Sequence, residues 1–161
     1  MFTDTDYEKY FDQIGRVERK MIYGVYDLAE EIKDPVLSGG FKKIGDDEVR
    51  HYGYVLKMLK EIGAPRRSEN RCESREYCLG TIQLRRSQDL TGRTIKDYCV
   101  NLSKKGICLE GGTDLSPGEV CELEIRLFGK KEIISHRGKV IWNKEVEPGF
   151  YIGGIIFEAI A

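Results

Sequence analysis

Two short motifs in this chain carry residues whose types and spacing suit anion chemistry: Arg66-Arg67-Ser68-Glu69-Asn70-Arg71 and Asn101-Leu102-Ser103-Lys104-Lys105-Gly106. Arginine is planar, permanently charged and makes paired hydrogen bonds, so it grips phosphate oxygens and stacks on bases. It also matches the O6/N7 edge of guanine. The second motif supplies an amide and a hydroxyl, followed by a glycine where the backbone is expected to need positive φ. Together they predict a site for a guanine-bearing phosphate ligand. Arg71-Cys72-Glu73-Ser74-Arg75 repeats the arginine spacing closer to the first strand. The doublet at 66–67 and the preceding Gly63-Ala64-Pro65 break favour the pair Arg67 and Arg71.

A second constellation interrupts two apolar helical seams. On the first seam, Phe11, Ile14, Met21, Val25, Leu28 and Ile32 recur at three/four spacing, with Glu18 in the missing place. On the second, Leu37, Phe41, Ile44, Val55, Met58 and Ile62 recur with Glu48 and His51 interposed. A carboxylate on an apolar stripe must be paired, hydrogen-bonded or metal-bound, and an i, i+3 pair shares one helix face. Counted from the turn near Asp34, Glu18 and Glu48 lie at similar heights, roughly 20 Å along their helices. They are therefore expected to face each other. The competing reading is a coiled hairpin in which these residues only set register.

The elements that position these groups follow from periodicity. Residues 6–62 read as an antiparallel helical hairpin, with Asp34-Pro35 as N-cap and first helical residue. Gly39-Gly40, Gly45 and Gly53 weaken its second helix. Beyond residue 76 the period becomes two. Strands are expected over 79–85, 94–101, 106–110, 120–127, 133–142 and 151–157, separated by Thr91-Gly92, Ser116-Pro117-Gly118, Gly129-Lys130 and Pro148-Gly149. Six short strands suit a closed barrel. The expected organisation is an α+β chain: hairpin 1–63, arginine-bearing linker 64–76, antiparallel β-barrel 77–161. Trp142 reads as core or barrel rim, and His136 as exposed.

Composition narrows the function classes. The 161 residues carry 26 Lys and Arg against 27 Asp and Glu, a balance unlike that of duplex nucleic-acid binders. No apolar run reaches the length of a membrane span, and the acidic N-terminus does not read as a signal peptide, so the cytoplasm is the expected compartment. The five cysteines (72, 78, 99, 108 and 121) form no C-x-x-C pair. Cys99, Cys108 and Cys121 lie in apolar strand context and read as small buried hydrophobes.

From Arg66 to the C-terminus the chain resembles the PilZ family, whose signature is RxxxR followed by (D/N)xSxxG on a small β-barrel. The resemblance implies a cyclic di-GMP receptor without catalytic activity. Arg67 and Arg71, with Arg66 before them, would clamp guanine and phosphate; Asn101, Ser103 and Gly106 would form the turn. The helices over residues 8–62 resemble the ferritin-like (rubrerythrin) family in its two-helix form. That resemblance implies a homodimer through the N-terminal helices, with Glu18, Glu48 and His51 sharing a di-iron site, or manganese, across the pair. A downstream protein partner is expected of a signalling protein. The alternatives are a di-iron oxidase or peroxidase with an accessory barrel, and an adaptor with a degenerate barrel.

Overall fold

Residues 4–61 and 76–158 are described by a computed structural model of the chain. They form two helices and six strands, divided between two compact units, Met1–Arg71 and Cys72–Ala161.

In the first unit, α1 (Asp4–Glu31) and α2 (Pro35–Glu61) are joined by three residues. The expected cap is present: Asp34 Oδ1 accepts from the Val36 and Leu37 amides at 2.9 and 3.0 Å, satisfying donors that the first turn leaves without helical partners. The helices pack on each other along an unusual line. Arg19 Nη1 donates to the Tyr52 hydroxyl at 2.9 Å, the Tyr26 hydroxyl reaches Asp46, and Ser38 Oγ donates to the Ala29 carbonyl at 2.7 Å. Gly45 lies beneath the Tyr26 ring, where a Cβ would come within 2.7 Å of it. Ile22, Tyr23, Ala29 and Tyr52 are buried here.

This corrects the expected seam. The Arg19–Tyr52 and Tyr26–Gly45 contacts set a register that puts Glu18 level with Gly53, about 7 Å along the hairpin from Glu48, and the inward face is the neighbouring stripe: Gly15, Arg19, Ile22, Tyr26 and Ala29. Met21 and Leu28, expected inside, are 67% and 41% exposed.

The second unit is a closed antiparallel barrel of β1 (Glu76–Arg86), β2 (Thr94–Leu102), β3 (Gly106–Gly111), β4 (Val120–Leu127), β5 (Ile133–Glu147) and β6 (Phe150–Phe157), in the order β1-β2-β3-β6-β5-β4. Closure pairs every strand on both sides and leaves no free edge. β4 alternates strictly, with Cys121, Leu123, Ile125 and Leu127 buried. With Ile82, Leu84, Cys99, Leu109, Val140 and Ile155 they fill the interior. The β3–β4 loop inserts Leu115, 1% exposed, into that core.

Two further expectations need amendment. β5 runs five residues past Trp142, because Pro148-Gly149 closes a tight hairpin in which Glu147 pairs with Phe150. Gly149 takes φ +70°, and its amide donates to Glu145 Oε1 at 2.8 Å. His136 is half-buried and stacks on Phe157, ring centroids 4.0 Å apart. Cys99, Cys108 and Cys121 are buried, as their context predicts; Cys72 lies outside the described residues.

Candidate functional site

The Asn101–Gly106 motif forms the β2–β3 turn. Ser103 ties it together: its amide donates to the Gly106 carbonyl at 2.9 Å, and its hydroxyl donates to the same oxygen at 3.2 Å. The Lys105 amide donates to Ser103 Oγ at 3.3 Å, leaving the hydroxyl one lone pair. Asn101 stands opposite Tyr77 and Cys108, just after a register shift in β2. Such an irregularity re-aims side chains locally.

Gly106 is required for a reason other than the expected one. Positive φ occurs at Gly92, Gly118, Gly129 and Gly149, not at Gly106. Instead, β6 passes so close that a Cβ at 106 would collide with the Ile155 carbonyl oxygen. Close backbone approach, rather than turn geometry, excludes a side chain.

Beside the turn lies a shallow groove of ≈ 180 Å³, bounded by Ser103, Lys105 and Gly106 on one side and Ile141, Trp142 and Ile156 on the other. Trp142 is 41% exposed, so it is not a core residue. Its indole lies over Gly154, where a Cβ would meet the ring atoms Nε1, Cε2 and Cδ1. Ile141 and Ile156 are also exposed, making this an apolar strip on an otherwise polar wall. Lys139 pairs across to Ile156, which pairs in turn with Gly106. A further exposed ammonium group therefore lies in the same row. The wall combines an aromatic face, aliphatic contacts, cations and a polar turn. That set suits a ligand with a flat base and an anionic backbone.

The arginine motif, Arg66, Arg67 and Arg71, lies outside the described residues, as does the alternative Arg75. Trp142 and Lys105, which line the groove, and Lys139 in the same row were not singled out as site candidates from the sequence. The signal available for Trp142 was Gly153-Gly154 on β6, which leaves room for a large ring on the neighbouring strand.

Glu18, Glu48 and His51 do not come together within one chain. Glu48 and His51 are exposed, with His51 Nδ1 3.9 Å from Glu48 Oε2. Glu18 is half-buried on α1, and the helix–helix contact is made by other residues. Among the described residues no three His, Cys, Asp or Glu side chains converge as a metal ion would need. The ferritin-like reading of residues 8–62 and its shared metal centre therefore find no support. Burial disfavours the thiolate at two cysteines of the barrel. Burial pushes Cys121 up to about 11, and the Cys78 thiol together with burial raises Cys99. Among the described residues no helix is long and apolar enough to cross a membrane.

Comparison with known proteins bears on the barrel. The profile described as "PilZ domain" matches residues 65–160. No curated protein matches the chain. Among solved structures, the inhibitor of motility MotI/DgrA of Bacillus subtilis is 20% identical, with TM-score 0.46, the match covering 60% of this chain and 49% of that one. MrkH of K. pneumonia in its apo state is 15% identical, with TM-score 0.40, covering 59% of this chain and 43% of that one. The match thus spans less than half the length of either structure.

Proposed function

The chain belongs to the PilZ domain family, and from that premise we propose that it is a receptor for cyclic di-GMP, held against the wall beside the β2–β3 turn. The observation that carries the reading is the convergence of Ser103, Lys105 and the exposed Trp142 on one groove. Trp142 supplies a face on which a guanine stacks. Ser103 and Asn101 offer hydrogen bonds, and Lys105 and Lys139 offset phosphate charge.

The groove is too small to enclose such a ligand. Sites that bury a ligand measure roughly 300–1,000 Å³, against ≈ 180 Å³ here. The wall therefore serves one side of the dinucleotide. Arg67 and Arg71, with Arg66 beside them, close over the other, making charge-assisted contacts to phosphate and the guanine edge. Members of this family are generally receptors rather than enzymes, so ligand binding itself is the expected output.

A calorimetric titration of the full chain with cyclic di-GMP tests the proposal. Arg67→Ala and Arg71→Ala should each weaken binding about tenfold or more, since hydrogen bonds to a charged group contribute about 1.5–3 kcal/mol. Trp142→Ala should weaken it roughly five- to 150-fold, because base stacking on an aromatic ring is worth about 1–3 kcal/mol. Affinity that survives both arginine changes moves the site elsewhere. A folded parent chain that binds no nucleotide withdraws the receptor reading.

A further inference from the structure

The helical hairpin carries more apolar surface than its own packing uses. Arg19–Tyr52 and Tyr26–Gly45 fix the inward direction of each helix. At about 100° per residue, the stripe Ile14, Val17, Met21, Val25 and Leu28 lies about 120° around α1 from that line. Leu37, Ile44 and Val55 lie about 90° around α2 in the same rotational sense. Because the helices are antiparallel, equal senses of rotation bring both stripes to the same side of the hairpin. That side is open: Val17 and Leu37 are 58% exposed, Met21 67% and Ile44 50%.

We propose that this face is the docking surface for a second copy of the chain, completing a four-helix bundle. Three observations select that occupant. The first is area. Helices of 28 and 27 residues make a face on the order of 40 Å by 20 Å. The resulting ~800 Å² per copy is what a stable, specific interface needs.

The second is geometry. A two-fold axis running along the hairpin lays α1 of one copy antiparallel over α2 of the other and keeps heights unchanged. All four helices then have antiparallel neighbours, as in up-and-down bundles. The third is charge. Glu18 lies on the border of the open stripe, and its Oε2 is buried without a hydrogen-bond partner among the described residues. The Arg19–Tyr52 contact puts Glu18 about 3 Å in height from His51, whose side chain is 68% exposed. In the symmetric pair each Glu18 meets the other copy's His51, twice over, as an isologous interface requires.

Sedimentation analysis of the full chain tests this. The wild-type protein should sediment at twice the chain mass of 18.5 kDa. Met21→Glu combined with Leu28→Glu should give a monomer whose helical circular dichroism is unchanged, because both side chains are exposed in the single chain. Glu18→Arg should weaken the dimer at least tenfold, and adding His51→Glu should restore it. This swap reads the interface even where the apolar variant loses helicity. A wild-type monomer at every concentration overturns the proposal. So does a dimer that survives the Met21/Leu28 change, or a charge swap that fails to recover association.

Discussion

At Asp97 a carboxyl sits inside the barrel with none of its surface exposed. Gly111 on the neighbouring strand makes room for it; a Cβ there would overlap the carboxylate. Burial raises its pKa from 3.8 to about 6, against the opposing pull of the Thr113 hydroxyl, the Gly112 and Thr113 amides and the Arg86 guanidinium. The folded state therefore holds a proton that the unfolded chain releases between about pH 4 and 6. Stability contributed by this group falls as pH rises through that window and stays low above it. Asp97→Asn removes the charge that burial penalises. It should raise stability at pH 7 by up to about 3 kcal/mol, using about 1.4 kcal/mol per unit, and flatten the slope between pH 4 and 6. Thermal melts of both proteins across that range check it; a variant that melts lower at pH 7 with the slope retained contradicts the assignment.

Between elements, Gly45 shows why packing rather than propensity sets the hairpin. Alanine is worth up to about 1 kcal/mol over glycine inside a helix. Here, however, the added methyl would come within 2.7 Å of the Tyr26 ring, and overpacking costs roughly 1–3 kcal/mol. Gly45→Ala should lower the helical melting midpoint, and in a Tyr26→Ala background the same change should raise it. Destabilisation in both backgrounds would show that the ring is not the obstacle. The same contact explains what sequence could and could not reveal. Strands were legible because a closed barrel forces period-two burial, and β4 has the bounds its pattern predicts. The hairpin's orientation was not, because α1 carries two stripes and the one containing Gly15, Arg19 and Tyr26 turns inward. Sequence left Trp142 open between core and rim, because strict alternation from buried Val140 points it inside. A register shift between Val140 and Trp142 changes the phase and puts the indole on the outer wall. The turn motif was readable from its residue types, but the strand that flanks Gly106 was not.

For the whole molecule, the order of segments along the chain matters more than any one contact. The arginine motif at 66–71 lies between the end of α2 at Glu61 and the start of β1 at Glu76. The same residues that grip the nucleotide in the proposed complex thus connect hairpin to barrel. In the proposed complex Arg67 and Arg71 tie the connection to the barrel whenever nucleotide is bound, so the ligand favours arrangements of the chain compatible with that tie. Coupling of this kind is limited by the ligand's preference for the tied form, and it needs no contact between nucleotide and helices. Small-angle scattering of the full chain should give a different profile at saturating cyclic di-GMP than without it. A Gly-Ser stretch inserted between Glu61 and Arg66 should leave affinity within a few-fold, because the arginines keep their spacing to the barrel. It should also erase most of the scattering change, because the hairpin then moves independently. Identical profiles with and without bound nucleotide in the parent chain would mean that the arginines grip the ligand without transmitting anything to the helices.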